Sequence, residues 1–185
     1  MKYKIGVFGS AEGDLSKTFD KAHLLGKELA RQKVIVITGA STGLPYEAAK
    51  TAKKNGAEIW GYSQARNLKD QEKLAPNCDS SIYKKLVYIP RDFPFASNIQ
   101  ACKKYRNVTS TANCDAGIII SGRWGTLNEF TNLYDMGKVI GVLIGTGGIA
   151  DELTNLCKKI SKKSRAKVIF SRSAKVLVEK IINEL

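Results

Sequence analysis

The chain is poor in the residues on which many catalytic and metal sites are built. Of its 185 residues one is a histidine, His23, and the four cysteines, Cys78, Cys102, Cys114 and Cys157, stand apart with no C-x-x-C pair. Zinc sites and disulfide frameworks need clustered or regularly spaced ligands, so neither a metal, a resident cofactor nor a disulfide is expected, and the thiols are expected to be reduced. A nucleophilic scheme built on a Ser-His or Cys-His pair would have to recruit His23, which falls among the apolar positions of a helical pattern and reads as a packing residue. No apolar run approaches the roughly eighteen residues of a spanning helix. The opening MKYKIGVFGS has too few apolar residues for a signal-peptide core and reads as a first strand. A cytoplasmic protein without a membrane partner is expected. Internal repeats, low-complexity segments and linkers are also missing, and the length suits one well-buried core, so residues 1–185 are expected to form a single domain.

What is present in excess is positive charge. Thirty Lys and Arg against seventeen Asp and Glu give a net charge of +13, while apolar residues make up 43% and charged residues 25%, ordinary values for a globular protein. Such an excess fits an anionic partner, either a phosphorylated small molecule or nucleic acid. The basic residues, however, come as pairs spread along the chain, such as Lys53-Lys54, Lys103-Lys104 and Lys162-Lys163. They form no dense tract and no row interleaved with aromatics of the kind that binds single strands. Solvated helix faces account for most of them, and nucleic acid is the least favoured partner.

Apolar runs and helical patterns alternate throughout. YKIGVFG, VIVITG, AEIWGY, KLVYIP, DAGIII, VIGVLIG and AKVIFS read as strands. Between them, Phe19 to Ala30, the stretch 46–56, residues 96–113, residues 126–136, Ile149 to Ile160 and Ala174 to Leu185 carry helical spacing. Nearly continuous apolar strands separated by helices predict an α/β fold: a doubly wound, Rossmann-like parallel sheet of about seven strands with helices on both faces. The polar stretch from Ser63 to about Lys84 is longer than the usual connection and marks a flap or insertion. Ligands of such sheets bind beyond the C-terminal strand ends. Attention therefore falls on Gly9-Ser10, on TGASTGLP at 38–45 and on SGRWGTLNE at 121–129.

The second junction, with YEAAK at 46–50, is superficially similar to the glycine turn and Tyr-x-x-x-Lys pair of short-chain dehydrogenases. The turn follows the second strand, however, and Pro45 stands where the last glycine belongs. Tyr46 and Lys50 also lie on the very helix that the turn opens, whereas that chemistry brings the pair from a distant helix. What remains is that Gly39 and Gly43 permit close backbone approach at a strand-to-helix turn, where amides can face an anion.

The third junction carries more. Gly122 and Gly125 let the chain turn from strand into helix. A helix starting near Thr126 presents unpaired amides and about half a positive charge to a phosphate, with the Thr126 hydroxyl as a further donor and Arg123 able to close over the same anion. Glu129 has two readings of equal standing: partner of Thr126 in a T-x-x-E capping box, or a carboxylate reaching a sugar attached to the bound phosphate. Arg106, seven residues after Ile99 and four after Cys102, falls on the side of its helix that otherwise packs. Either its stem packs while its head reaches water, or it meets an anion.

KYRN at 104–107 followed by CDAGIIISGRWGTLNEF at 114–130 resembles the LOG-like (lysine-decarboxylase-like) Rossmann nucleotide-binding family, whose signature is an Arg-bearing helix, a strand and P-G-G-x-G-T-x-x-E. GVFGS near the start and GKVIGVLIG with GGIADEL after the motif extend the likeness over nearly the whole chain. The resemblance implies a phosphoribohydrolase that releases free base from a nucleoside 5'-monophosphate, with Gly122, Gly125 and Thr126 on the phosphate and Arg106 and Glu129 as catalytic pair. It also implies a homodimer with the site near the subunit interface. Gly9, Ser10, Gly39, Gly43 and Arg123 complete the expected nucleotide-binding set. Three positions depart from the motif: Ser121 replaces the proline, Arg123 the second glycine, and Asn107 the lysine of an Arg-Lys pair. Arg-Asn resembles a neighbouring branch that is nucleotide-binding or molybdenum-cofactor-carrier-like. The alternative is therefore a binder without catalysis, in which Arg123 either grips the phosphate or fills the pocket.

Overall fold

The computed structural model describes residues 2–11, 18–160 and 162–185. Seven strands alternate with seven helices. The strands are β1 (Lys4–Gly9), β2 (Ile35–Thr38), β3 (Glu58–Tyr62), β4 (Lys85–Val87), β5 (Ala116–Ile120), β6 (Val139–Leu143) and β7 (Lys167–Ser171). The helices are α1 (Phe19–Arg31), α2 (Leu44–Lys54), α3 (Leu68–Leu74), α4 (Ile99–Asn113), α5 (Trp124–Asp135), α6 (Ile149–Lys159) and α7 (Ala174–Asn183). All strand pairs are parallel and the order is β4-β3-β2-β1-β5-β6-β7. This is the expected doubly wound α/β sheet. The winding direction reverses between β1 and β5, where Gly9 pairs with Ile120, and that reversal opens the crevice in which such sheets take ligands.

Two apolar layers hold the sheet. Ile5, Val7, Val36 and Ile118 face α1, α2 and α7 through Ala22, Leu25, Leu29, Ala48 and Leu177, all buried. Phe8, Ile37, Ile119 and Val142 face the other way, onto Phe130 and Leu133 of α5 and Ala150 and Leu153 of α6. Residues two apart along a strand share a face, and strands buried on both faces explain the continuous apolar runs. Among the described residues no helix is long and apolar enough to cross a membrane.

Several boundaries differ from the sequence expectation. β4, an edge strand, stops at Val87 although the apolar pattern runs to Pro90; past it the Ile89 amide still donates to the Ala65 carbonyl at 2.9 Å, outside the regular ladder. α4 begins at Ile99 because the Asn98 side chain accepts hydrogen bonds from the amides of Gln100 and Ala101 at 3.0 and 3.1 Å. The stretch 63–84 folds as α3 and a 3-10 turn at Ser80–Ile82. It is pinned to the body: the Gln71 amide donates to the Ala40 carbonyl at 2.8 Å, and the Tyr46 hydroxyl accepts from the Asp79 amide at 3.0 Å.

Tyr46 is thus a structural fastening. Lys50 pairs with Glu47 at 2.8 Å, in line with the rejection of dehydrogenase chemistry. His23 corrects the expectation of a core residue: its side chain is 41% exposed and meets Glu47 at 3.3 Å. One step around the helix from buried Ala22, it sits at the margin of the apolar stripe, where an ion pair is available.

Candidate functional site

The three junctions singled out in the sequence converge on one cavity of about 340 Å³ at the switch point, within the usual range of roughly 300–1,000 Å³ for small-ligand sites. Gly9 and Ser10 line it from the end of β1, Gly39 from the end of β2, and Arg123, Gly125, Thr126 and Glu129 from the start of α5, while Arg106 enters from α4. Gly43 and Gly122 are not among its lining residues; they set the turns behind the wall. Another cavity, of about 290 Å³ around Gly137 and Arg165, lies at the far end of α5, away from the C-terminal strand ends.

The turn after β5 requires its glycine. Gly122 has φ +103°, and a Cβ there would fall 2.5 Å from the Thr126 side chain. Ser121 also takes a positive φ, +55°, a value closed to proline, whose ring holds φ near −65°. The departure of this position from the family's proline therefore goes with a different local backbone. The turn is locked from behind, since the Ser121 amide donates to the Thr146 hydroxyl at 2.8 Å and the Gly122 carbonyl accepts from the Ile149 amide at 2.8 Å. Gly125 corrects a second expectation: it lies inside the first turn of α5 and shapes no turn. A Cβ there would meet nothing within 4 Å, so its contribution is open space at the helix tip.

α5 starts at Trp124 with Arg123 as its N-cap, and no side chain caps it. Thr126 is therefore already within the helix, and the capping box with Glu129 does not form. The helix starts two residues before Thr126, leaving its first amides and their partial positive charge at the cavity wall. Arg123 is exposed and is one of the cavity's lining residues, whereas Trp124, 83% exposed, is not among them.

Arg106 is held in place by backbone and a neighbour. Its Nη1 donates to the Gly39 carbonyl at 3.0 Å, and its Nε and Nη2 donate to the Asn107 side-chain oxygen at 3.3 and 3.0 Å. The Asn107 amide nitrogen in turn donates to the Asn128 oxygen at 3.1 Å, tying α4 to α5. A lysine at 107, as in the family's Arg-Lys pair, has donors only and could not receive the guanidinium. Gly39 makes the placement possible, because a Cβ there would sit 3.1 Å from the Arg106 Cζ. Gly39→Ala is expected to leave the fold intact, shifting the melting temperature by no more than about 5 °C. The guanidinium should shift and anion affinity fall severalfold, as read by calorimetric titration with AMP.

Glu129 is 6% exposed, and no described residue gives it a hydrogen bond or an ion pair. Burial raises its carboxyl from 4.5 to about 7, opposed by the charges of Arg106 and Lys104. Burial likewise pulls the Arg106 guanidinium below its ordinary range, with the Glu129 charge acting the other way. A buried carboxylate without a bonding partner is costly, and when it faces a cavity beside an arginine it is a functional candidate. The spacing of residues singled out Arg106 and Glu129 but missed Lys103, Ser41, Thr42 and Gln64, which also line the cavity. Lys103 was legible in hindsight, one turn before Arg106 on the same helix face. The others come from loops without a motif. Lys103, Arg106 and Arg123 against the single acid Glu129 make the described lining attractive to an anion.

No match to the chain is found among curated proteins. Among solved structures the chain is similar to TM1055, a structural-genomics target, with a TM-score of 0.79, 20% identity and full coverage of both chains. It is also similar to the molybdenum cofactor binding protein from the phototrophic bacterium Rippkaea orientalis, with a TM-score of 0.70 and 20% identity over 100% of this chain and 98% of that one. DNA processing protein A from Helicobacter pylori, whose structure concerns single-stranded DNA binding, gives a TM-score of 0.69 and 14% identity over 98% of this chain and 81% of that one. At such identities these likenesses are likenesses of fold. The family model described as the SLOG cluster4 family matches residues 2–178, in agreement with the LOG-like resemblance of the glycine motif, and the chain belongs to that family.

Proposed function

We propose that the chain binds a nucleoside 5'-monophosphate in the switch-point cavity and hydrolyses its N-glycosidic bond, releasing free base and ribose 5-phosphate. The observation that carries this reading is Glu129: a buried carboxyl with no bonding partner among the described residues, facing a cavity next to a fixed arginine. In the proposed reaction the phosphate sits at the tip of α5, held by its free amides, the Thr126 hydroxyl and Arg123. The C1'–N bond breaks and its electron pair leaves with the base, which takes a proton from solvent. Positive charge develops on the ribose ring, where ionised Glu129 stabilises it and accepts a proton from the water whose oxygen bonds to C1'. Arg106 anchors the substrate from the opposite wall.

The test is incubation of the purified protein with AMP, GMP, CMP and UMP, followed by chromatography. Free base and ribose 5-phosphate in equal amounts are expected from at least one of them. A second reading, a nucleotide or molybdenum-cofactor binder without turnover, is favoured by the Arg106–Asn107 clamp, which differs from the family's Arg-Lys pair, and by the likeness to the Rippkaea orientalis protein. It predicts ligand-dependent thermal stabilisation with no base released. Neither release nor stabilisation, with retention on single-stranded DNA that falls steeply with salt, would turn the reading toward nucleic acid. A second copy of the chain belongs to the proposal as well. Exposed Trp124 next to the cavity mouth, with Ile99 and Val108 exposed along α4, offers apolar surface for it.

A further inference from the structure

The connection between β3 and β4 contains two glutamines with opposite surroundings. Gln71 is buried and fully engaged, accepting from the Ser63 hydroxyl at 2.5 Å and donating to the Ala40 carbonyl at 2.8 Å. Gln64, two residues past the end of β3, lines the cavity, and no described residue bonds its amide. Ser41, past the end of the neighbouring strand β2, lines the same cavity, and its hydroxyl is equally without a bond among the described residues. Leu74, from the last turn of α3, adds an apolar surface there.

The sheet fixes how far this wall lies from the phosphate seat. β5, β1, β2 and β3 are successive neighbours, so three strand spacings, about 14 Å in all, separate the end of β5 from the end of β3. That is close to the length of an extended nucleoside monophosphate. With its phosphate at the α5 tip, the ribose passes between Glu129 and Arg106, whose guanidinium rests on Gly39 at the end of β2. The base then arrives under the end of β3. The middle of the cavity carries charge, whereas this end carries a neutral carboxamide, a hydroxyl and a leucine. Such a set suits an uncharged heteroaromatic ring with polar edges.

Resting on the nucleotide reading above, we infer that Gln64 determines base specificity, its carboxamide pairing with a base edge that carries an adjacent donor and acceptor. The 6-amino group of adenine and its neighbouring ring nitrogen are such an edge, and a two-point pair of this kind discriminates by roughly 1–3 kcal/mol, or about five- to 150-fold. Leu74 covers one face of the ring. The stretch 63–84 is then the part of the fold that chooses the base, and the motif at 121–129 supplies the part common to all nucleotides.

The experiment is calorimetric titration of the wild-type protein, Gln64→Met and Gln64→Ala with AMP and with purine riboside 5'-monophosphate, which has the same ring without the amino group. Because Gln64 bonds to nothing described, both variants should melt with the wild type. The wild type is expected to prefer AMP about tenfold. Both variants should lose that preference, because AMP forfeits both points of the pair whereas the analogue, which keeps only the ring nitrogen, forfeits one and weakens less. If AMP and the analogue bind but the preference is missing in the wild type or survives in both variants, the assignment of Gln64 is overturned while the nucleotide reading stands. If neither compound binds the wild type, the reading and the assignment fall together.

Discussion

Glu129→Gln is expected to release free base about 10²- to 10³-fold more slowly than the wild type while binding the monophosphate with nearly unchanged affinity. Glutamine keeps the volume and shape of the side chain, so the cavity neither collapses nor opens. What disappears is the negative charge, and the substrate's ribose has nothing to gain from that charge until its own bond to the base begins to break. An interaction made only in the transition state lowers kcat and kcat/KM together and leaves ground-state binding in place. The same logic fixes the pH profile. Burial raises the carboxyl of the empty protein to about 7, and in the proposed reaction the ionised form acts, so wild-type kcat/KM, which reports the free enzyme, should climb with pH through about 7 and then level off. The residual activity of the variant should lack that rise. A wild-type rate that falls as pH rises through 7 would assign the carboxyl the opposite task, proton donor to the leaving base. Base release at the wild-type rate by Glu129→Gln would remove Glu129 from the chemistry.

Most of the fold could be read from the chain because burial on both sheet faces leaves a strong mark. DAGIII and VIGVLIG have no polar face, and only a parallel sheet covered twice makes use of such runs. The site was legible where backbone geometry restricts residue type. Gly122 had to be glycine, and the strand–turn–helix corner it serves is where the cavity opens. Legibility ended where a residue's neighbours are set by tertiary contacts. Glu129 had two equal readings because the spacing T-x-x-E is the same whether the helix begins at Thr126 or earlier, and only the position of the N-cap at Arg123 separates them. Asn107 stood out only as a departure from the Arg-Lys pair, with nothing in its spacing to say what it holds. Its part in holding Arg106 depends on α4 lying against α5, with Asn128 on the far side. Gln64 and Ser41 sit in loops where polar residues are the rule, and nothing in their spacing distinguishes them from solvated neighbours.

Glu129 should also lower the stability of the empty protein, and by an amount that grows with pH. Its carboxyl ionises at about 7 in the folded protein against 4.5 ordinarily. A carboxyl raised in this way leaves stability intact at low pH, where both states hold the proton. Stability falls as pH rises from the unfolded value toward the folded one, because the unfolded chain releases the proton first. Above pH 7 the full difference applies, on the order of 3 kcal/mol at about 1.36 kcal/mol per pKa unit. Glutamine does not titrate. The stability gap between Glu129→Gln and the wild type should therefore widen by about 3 kcal/mol in favour of the variant between pH 4 and pH 8, on the order of 10 °C in melting temperature for a chain of this size. Every other titrating group is common to both proteins and drops out of the comparison. Thermal melts of the two ligand-free proteins across that range measure it directly, and a gap that does not change with pH would mean that water reaches the carboxylate and that its burial is not what sets its proton affinity. A gap that does widen would identify Glu129 as a group kept against the interest of folding. In the proposed reaction its partner is the developing charge on the ribose ring, which the Arg106 guanidinium, of the right sign but not in ion-pair contact, does not replace.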